Sequence, residues 1–549
     1  MSQRVTEGGT VDARGLLRAC PWLGLALAVA IAFGGAVHNG FLYDDYHLIV
    51  ENPAVASHDW ATLWTSAGAT SRDSQGRGFR PVTLSSYAVD HLIGGGRASV
   101  FHATQLLWHA LTVGLTFAVA SMVGLHRATA LGAALLVGLH PMQTEAAHYL
   151  SARSSVLSTV WLLVSFWTYL RWRADPAARG EWLAASLVGL AFAVWSKESA
   201  IVGLVWFAAW ELVGAGSHWS SLGRRIGLHA AVAAASVAPA VTIVGATAHG
   251  TSAPTLVALA SGFAVLGRHL TGWIAPWAVD PLRPAAWVAW AHPSVWWGAG
   301  AFVGLGVVAW ALRRRAPVGA WGLLCGLTGL LPGLALPFVT TVAWFQPHRG
   351  YQAAVGFALC AGAMADPFVN RVAAASGAPR SRRMARLASL AVAASVVLGL
   401  IATDVEAGKR WRHEIGFWTD AVQRYPREAA YHHSLGAARL RHGDPAGAVE
   451  AWLASARLDA SLPRVDFNLG LAYAGLGRRD EAIAAYERAV ARDASDVKAW
   501  ANLGRMLETR GETARALVAY QRALDLAPQA TAVRDRIVAI EAARAGVRP

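Results

Sequence analysis

The sequence predicts an all-α protein in two parts: a polytopic bundle of membrane-crossing helices over residues 1–405, then a helical-repeat solenoid over residues 406–549. Three observations predict it. Long Ala/Leu/Val/Trp runs fill Leu16 to Ala402, whereas the chain from Lys409 onward is richly charged. Of the 549 residues, 55% are hydrophobic and only 15% charged, too apolar for a soluble protein and too long for one domain. Past residue 405 a Leu-Gly pair recurs every 34 residues, the mark of a stacked repeat.

The first apolar run, Leu16 to Val37, is too long for the core of a secretory signal and lacks a clear small-residue cleavage site before Phe41. It reads as a retained first span. Phe41-Leu-Tyr-Asp-Asp-Tyr-His-Leu-Ile-Val-Glu-Asn-Pro53 follows at once, so Asp44 and Asp45 sit where a membrane helix surfaces. Adjacent carboxylates cannot both ionise freely, and one of them, shielded beside the bilayer, is a candidate proton acceptor. The plainer alternative makes Asp44 a helix cap and leaves Asp45 and Glu51 as solvated loop acids.

A spanning helix needs about 20 apolar residues. Candidates lie near residues 16–37, 99–122, 128–140, 154–171, 181–196, 199–213, 227–248, 294–312, 317–340, 351–367 and 386–402, about eleven spans in all. Those at 128–140, 181–196 and 199–213 are short and read as broken or tilted. Residues 255–290 are ambiguous, because Arg268 and His269 interrupt an apolar piece that leads into a Pro- and Trp-rich stretch. If Arg14 and Arg18 are cytoplasmic and this piece does not cross, then Arg127, Arg171, Arg173, Arg224, Arg225, Arg313 to Arg315 and Arg380 to Arg386 all fall inside, as positive charge in short loops should. The piece is therefore expected to be interfacial or re-entrant on the outer face. The net charge of +14 largely reflects that rule and does not point to nucleic acid. Only Lys197, Lys409 and Lys498 are lysines, so a preference for arginine is also compositional. Cys20, Cys325 and Cys360 have neither disulfide-framework nor metal spacing.

This topology gathers polar groups from several connections on one face. They are Asp44 and Asp45, Arg80 in Phe-Arg-Pro-Val-Thr, His102 and His109 seven apart, His140 through Glu145, Arg153, Lys197 with Glu198, and His348 with Arg349. Singly, each has a plainer reading: Arg80 snorkels, the histidines bond to backbone carbonyls, Lys197 and Glu198 neutralise each other, and Arg153 anchors at the interface. Jointly, ionisable groups that would cost about 2.5–3.5 kcal/mol each at mid-bilayer should collect where water or an anionic ligand enters. Acids opposite Arg, His and Lys suit transfer from a phosphate-activated lipid donor, with the cations on the phosphate and an aspartate taking the acceptor's proton. A nucleotide donor is not indicated, since Gly94-Gly-Gly96 lacks the Lys-Ser/Thr of a phosphate loop.

In the carboxyl-terminal part, Leu435-Gly436, Leu469-Gly470 and Leu503-Gly504 are each followed by Ala448, Ala482 or Ala516, and then by Trp452, Tyr486 or Tyr520. These are tetratricopeptide repeats, a half unit plus three, closed by a cap over Ala532 to Ala543. The aromatic is expected to fill the gap to the neighbouring repeat. Such an array offers a groove to a protein acceptor or partner, or serves as a stability module.

Taken in order, Tyr43-Asp-Asp-Tyr-His-Leu-Ile-Val-Glu-Asn-Pro53, Arg80-Pro-Val-Thr, Phe101-His102 with His109, His140-Pro-Met-Gln-Thr-Glu145 with Arg153, and Ser196-Lys-Glu198 resemble the transmembrane and tetratricopeptide-repeat O-mannosyltransferases and their bacterial relatives. The resemblance implies a GT-C glycosyltransferase fold, a polyprenyl-phosphate sugar donor and repeats on the same side of the membrane as the site. It implies Asp44 as general base, Asp45 orienting the acceptor or holding a cation, and Arg153 with Glu145 organising the donor phosphate. His140, Lys197, Arg80, His348 and Arg349 are further donor-phosphate candidates, and His102, His109 and Glu198 further members of the site. One segment departs from the resemblance: where relatives carry an acid-Arg-Tyr run, this chain has Gln346-Pro-His-Arg-Gly-Tyr351. Either His348 or Arg349 is then expected to do the arginine's work. The expectation is an integral protein of a bacterial inner membrane, active on the extracytoplasmic side, moving a sugar, mannose by the resemblance, to a protein hydroxyl with inversion. A divalent-cation cofactor stays open, as one acid pair is below the ligand count a site needs. The rivals are a non-catalytic scaffold for envelope assembly and a transferase acting on lipid or polysaccharide.

Overall fold

The computed structural model describes residues 13–66, 69, 78–175, 179–244, 255–278, 280–284, 287–335, 346–374, 379–462 and 464–544. No β-strand occurs among the described residues. The chain forms two compact units, residues 1–413 and 414–549. The boundary lies eight residues beyond the expected 405 because the last membrane helix continues to Gly408, and a 3-10 turn, Lys409–Trp411, follows it. Trp411 stacks on Tyr149 within the first unit.

In the first unit the helices are α1 (Ala13–Phe33), α2 (Pro53–Ala56), α3 (Trp60–Thr65), α4 (Pro81–Gly94), α5 (Ala98–Met122), α6 (Arg127–Leu139), α7 (Thr144–His148) and α8 (Arg153–Ala174). They continue as α9 (Arg179–Ser196), α10 (Leu204–Ala209), α11 (Leu222–Val244), α12 (Thr255–Ile274), α13 (Pro293–Leu312), α14 (Pro317–Ala335), α15 (Tyr351–Ala374) and α16 (Pro379–Gly408). Six stretches among the described residues are long and apolar enough to cross a membrane: Pro21–His38, Ala98–Met122, Pro293–Leu312, Pro317–Leu334, Pro347–Val372 and Leu387–Trp411. Eleven crossings are thus not established. Two further expected spans, α6 and α9, are shorter apolar helices. The 199–213 run is broken into a 3-10 turn, the short α10 and a π turn, Trp210–Gly214. The far ends of the runs at 227–248 and 317–340, and the side chains of Arg14 and Arg18, lie outside the described residues.

The expected span at 154–171 is a 22-residue helix, α8, buried on nearly every side. It is rich in serine and threonine, whose hydroxyls bond back along the helix, as Thr159 does to the Ser155 carbonyl at 2.8 Å and Thr168 to that of Val164 at 2.8 Å. Helices approach one another closely through small residues, the packing a bilayer favours because lipid offers no hydrophobic drive between helices. Ser165 and Ser186 exchange hydroxyl-to-carbonyl bonds between α8 and α9 at 2.6 and 2.8 Å. Between α14 and α15, a Cβ added to Gly356 would sit 2.1 Å from the Gly326 nitrogen, and one on Gly322 2.7 Å from that of Cys360.

The ambiguous 255–290 piece contains the continuous 20-residue helix α12. Its Gly262 lies against Leu334 at the end of α14, Thr271 accepts from Trp297 Nε1 near the start of α13 at 3.0 Å, and Gly272 lies against Met142. The middle and the carboxyl end of α12 thus pack against the end of α14, the start of α13 and the segment after α6. Arg268 donates to the Pro284 carbonyl at 3.1 Å and draws the proline-rich stretch back over it.

The second unit holds α17 (Glu414–Arg424), the pairs α18 (Ala429–Arg441) with α19 (Pro445–Leu458), α20 (Val465–Gly475) with α21 (Arg479–Arg492), and α22 (Val497–Thr509) with α23 (Thr513–Leu526), and a closing α24 (Thr531–Arg544). Half a repeat, three repeats and a cap is the expected order. The aromatic shares a core with the next repeat, as Trp452 does with Val465 and Leu469, and it also closes on the glycine of its own pair, with Trp452 on Gly436, Tyr486 on Gly470 and Tyr520 on Gly504, each 2.6–2.7 Å from where a Cβ would be. Only glycine leaves room there, which explains the period physically.

Gly356→Val should overpack the α14–α15 seam at a cost of about 1–3 kcal/mol or more and lower the thermal midpoint of the detergent-solubilised protein. An unchanged midpoint would show that the two helices are not in this contact.

Candidate active site

At the end of α1 a short 3-10 turn delivers the chain to Tyr43, which takes a left-handed backbone, φ 44°. A bulky residue there is strained by about 1–3 kcal/mol, and such strain recurs at functional sites. Asp44 and Asp45 then start a turn that continues as a π-helical segment, Tyr46–Val50.

The two acids have different surroundings. Asp45 is fully buried; its Oδ2 accepts from the Leu42 N–H at 3.0 Å, and its Oδ1 from the Ser151 N–H at 2.8 Å and the Ser151 hydroxyl at 2.6 Å. Burial pushes its carboxyl up to about 7 against the pull of those donors, with Asp44's charge a small addition. The raised value was expected, but burial rather than mutual repulsion is its main cause. With both oxygens engaged and the side chain fully buried, Asp45 pins the loop to the segment before α8. Asp44 instead lines a recess of about 320 Å³ together with His47, Arg80, Thr83, Tyr87 and Ser151. Its carboxyl is also raised by burial, while the Tyr149 hydroxyl, His47 and Arg349 pull the other way.

The Arg-Pro-Val-Thr motif builds the opposite wall. Pro81 opens α4, where its missing N–H costs nothing. Arg80, just before it, makes a two-pronged pair with Glu198 at 3.1 and 2.9 Å, and Thr83 bonds to the Ser196 carbonyl at 2.9 Å. The motif thereby ties the start of α4 to the end of α9. Burial opposes the Glu198 charge, but Arg80 outweighs it and holds that carboxyl down at about 2. Lys197 donates to Ser155 Oγ at 2.7 Å, and burial beside Arg80 and Arg349 lowers it to about 7. Arg349 lies in a 3-10 turn, Pro347–Gly350, and donates to Gln346 Oε1 at 2.5 Å. Glu145 accepts from the His348 N–H at 2.8 Å and lies 3.1 Å from its Nδ1. An acid from α7 thus serves the 346–351 segment that carries none of its own.

Four expected site residues lie elsewhere. Arg153 is a correction: it is fully buried, paired with Asp90, and donates to Gln105 at 3.1 Å, the Phe101 carbonyl at 2.6 Å and Thr104 at 2.9 Å, with its guanidinium 4.7 Å from the Tyr87 ring centre. It has no donor left for a phosphate. His140 stacks on Trp273 at 4.1 Å, and its two nitrogens meet the Met142 N–H and the Trp273 carbonyl, both at 3.3 Å. It is a clamp between the end of α6 and α12, not an anion ligand. His102 faces the Gly40 carbonyl at 3.3 Å, and His109 donates to the Gly138 carbonyl at 3.0 Å and accepts from the Tyr351 hydroxyl at 2.6 Å. Both are buried struts. Sequence reasoning missed Asp90, Tyr149, Ser151 and Ser155. Of these, Asp90 alone left a signal, an acid among the apolar residues Ala88, Val89, Leu92 and Ile93, although it lies outside every expected span.

Among the described residues, no group of three or more His, Cys, Asp or Glu side chains is placed to hold a metal ion. Arg153→Ala should leave the Asp90 carboxylate buried and unpaired and destabilise the bundle by about 3–5 kcal/mol, seen as lost monodisperse protein in detergent. A donor-phosphate ligand would instead give a well-folded variant with a raised KM.

Comparison with known proteins agrees with the motifs. The tetratricopeptide repeat family matches residues 467–531. The chain is 32% identical over 190 residues to the protein O-mannosyl-transferase Tmtc2 of Drosophila melanogaster, covering 32% of this chain and 20% of that protein. It is 30% identical over 165 residues to TMTC1 of Mus musculus, covering 29% and 17%. The matched part therefore spans about a fifth of the length of these curated relatives. Among solved structures, ArnT from Cupriavidus metallidurans in the apo state aligns over 86% of this chain and 80% of that one, at 20% identity and a TM-score of 0.41. The chain is thus similar to the transmembrane and tetratricopeptide-repeat O-mannosyltransferases, as its ordered motifs imply.

Proposed function

We propose that this protein is a membrane-embedded glycosyltransferase that moves a sugar from a polyprenyl-phosphate carrier to a hydroxyl of a protein acceptor. The observation that carries the reading is Asp44 in a recess shared with Arg80, within electrostatic reach of Arg349, while Asp45 beside it is fully engaged. One acid is thus a holder and the other is presented. The similarity to protein O-mannosyl-transferases supports mannose as the sugar and protein as the acceptor.

In this reading the acceptor hydroxyl attacks the anomeric carbon as the bond to the phosphate oxygen breaks. The hydroxyl proton passes to the Asp44 carboxylate, and the lipid phosphate leaves with the bonding electrons. Direct displacement inverts the anomeric configuration. A carboxyl raised by burial is a stronger base than an ordinary aspartate, which suits it to this transfer near neutral pH. Arg349 and Lys197 meet the charge that grows on the phosphate, and Arg80 is held between them and Glu198. Arg349 takes the arginine's role in the departed segment, and Glu145 fixes His348 beneath it. The site faces away from the cytoplasm: Arg127, Arg173, Arg225 and Arg313 all lie at helix ends opposite to the one carrying the acids, where the positive-inside rule puts the cytoplasm. The repeats are the natural seat for a protein acceptor.

Asp44→Asn should fold as the parent does and lose about 10²–10⁴-fold in kcat/KM, measured as sugar transfer to exported protein by mass spectrometry. Full activity in that variant removes Asp44 as the base, and transfer only to lipid or polysaccharide removes the protein acceptor.

The pH dependence has a defined sign. Asp44 must be ionised, so kcat/KM falls as pH drops through its raised value. Lys197 must be charged, so kcat/KM falls again as pH rises past about 7. Lys197→Arg keeps a cation at high pH and should extend the alkaline limb; a limb that does not move places Lys197 outside phosphate binding.

A further inference from the structure

A second polar cluster lies far from the acids. Glu211, fully buried in the π turn after α10, accepts from the Tyr169 hydroxyl at 2.6 Å and from Arg173 Nε at 2.8 Å on Oε1. Its Oε2 accepts from the Ser217 hydroxyl at 2.8 Å and pairs with Arg225. One carboxylate thereby orders two guanidiniums from two helices, α8 and α11. They frame a pocket of about 290 Å³ lined by Trp172, Arg173, Ser221, Arg224 and Arg225. Three guanidinium charges against one carboxylate leave a surplus of two, and the amino end of the 23-residue α11 adds its partial positive charge at Leu222.

The pocket's depth is set by α8. Arg153, beneath the acids, and Arg173, in the pocket, are twenty residues apart on this uninterrupted helix. At 1.5 Å per residue they are about 30 Å apart along its axis, one hydrocarbon thickness. The pocket therefore sits at the opposite membrane interface. Its flank is apolar: Trp219 is 71% exposed and Leu228, on the first turns of α11, is 57% exposed. Tryptophan beside arginine at this depth is a headgroup-level arrangement, and acyl chains would run along that flank.

We infer that this pocket binds the phosphate of an anionic phospholipid from the leaflet opposite the active site. The phosphate sits between Arg224 and the pair that Glu211 holds in place, and the chains lie against Trp219 and Leu228. The inference is independent of the transferase reading, because it uses none of the residues of that site. The flank decides between a lipid and a soluble phosphate, since a free anion has no use for exposed Trp219 and Leu228.

The test is native mass spectrometry of the full-length detergent-solubilised protein with phosphatidylglycerol, phosphatidylcholine or inorganic phosphate, on the parent and on Arg224→Glu, Arg224→Lys and Trp219→Ala. Arg224 takes no part in the Glu211 cluster, so its variants should keep the parent's lipid-free thermal midpoint. The parent should retain phosphatidylglycerol at least about tenfold more than phosphatidylcholine, a difference of about 1.4 kcal/mol. Arg224→Glu should abolish that preference, Arg224→Lys should keep most of it, and Trp219→Ala should weaken retention while sparing charge selectivity. Equal retention of the two lipids, or an Arg224→Glu variant that behaves as the parent, overturns the proposal. Inorganic phosphate that displaces phosphatidylglycerol at equal concentration overturns the lipid assignment in favour of a soluble anion.

Discussion

The bundle depends on one ion pair with no access to water. Arg153 and Asp90 join the base of α8 to α4, and the remaining guanidinium donors reach Ser86 on α4 at 3.5 Å and Gln105, Thr104 and the Phe101 carbonyl on α5. The consecutive helices α4 and α5 and the later α8 are thus fixed together by a single side chain. A buried charge in an apolar bundle is tolerable only when every donor is used, and here every one is. The Tyr87 ring beneath the guanidinium sends its own hydroxyl to the Leu150 carbonyl at 2.7 Å, and this carries the order on to the segment that meets Asp45.

From that base the site is a matter of who is already satisfied. Asp45, Arg153, His109 and His140 each spend their polar atoms on the protein, and in doing so they hold the loops from which Asp44, Lys197 and Arg349 are presented. The two kinds of residue differ in partners rather than in type. This division explains why Asp-Asp is a pair: the second acid is a fixture for the first. It also explains why the 346–351 segment can dispense with its own carboxylate, since Glu145 reaches it from α7.

Much of this was legible in the sequence. The repeats were, because a 34-residue period is a direct record of Trp452, Tyr486 and Tyr520 closing on Gly436, Gly470 and Gly504. The membrane helices were legible where composition decides, α8 included, whose serines and threonines bond back along the helix and so satisfy their own polarity; the broken 199–213 run was not. That Asp44 and Arg80 come together in one recess was legible, because charge avoids the bilayer interior. The roles inside it were not. Arg153 and Arg80 look alike as arginines near helix ends, and what separates them is a partner: Asp90 in the core for one, Glu198 at the edge of the recess for the other. Neither pairing follows from any local pattern, as one spans 63 residues and the other 118.

Tyr43 holds a backbone angle that glycine would adopt freely, in a turn closed by the Asp45 N–H on the Leu42 carbonyl at 2.8 Å and the Tyr46 N–H on the Tyr43 carbonyl at 3.3 Å, and braced by the donors to Asp45. The corner and the acid beyond it are therefore a single mechanical unit. A strained corner persists only where its surroundings hold it, so drawing Ser151 or the Leu42 amide away from Asp45 removes part of what keeps Tyr43 bent and Asp44 in register. The orientation of the presented carboxylate is in this sense a reading of whether the loop is latched.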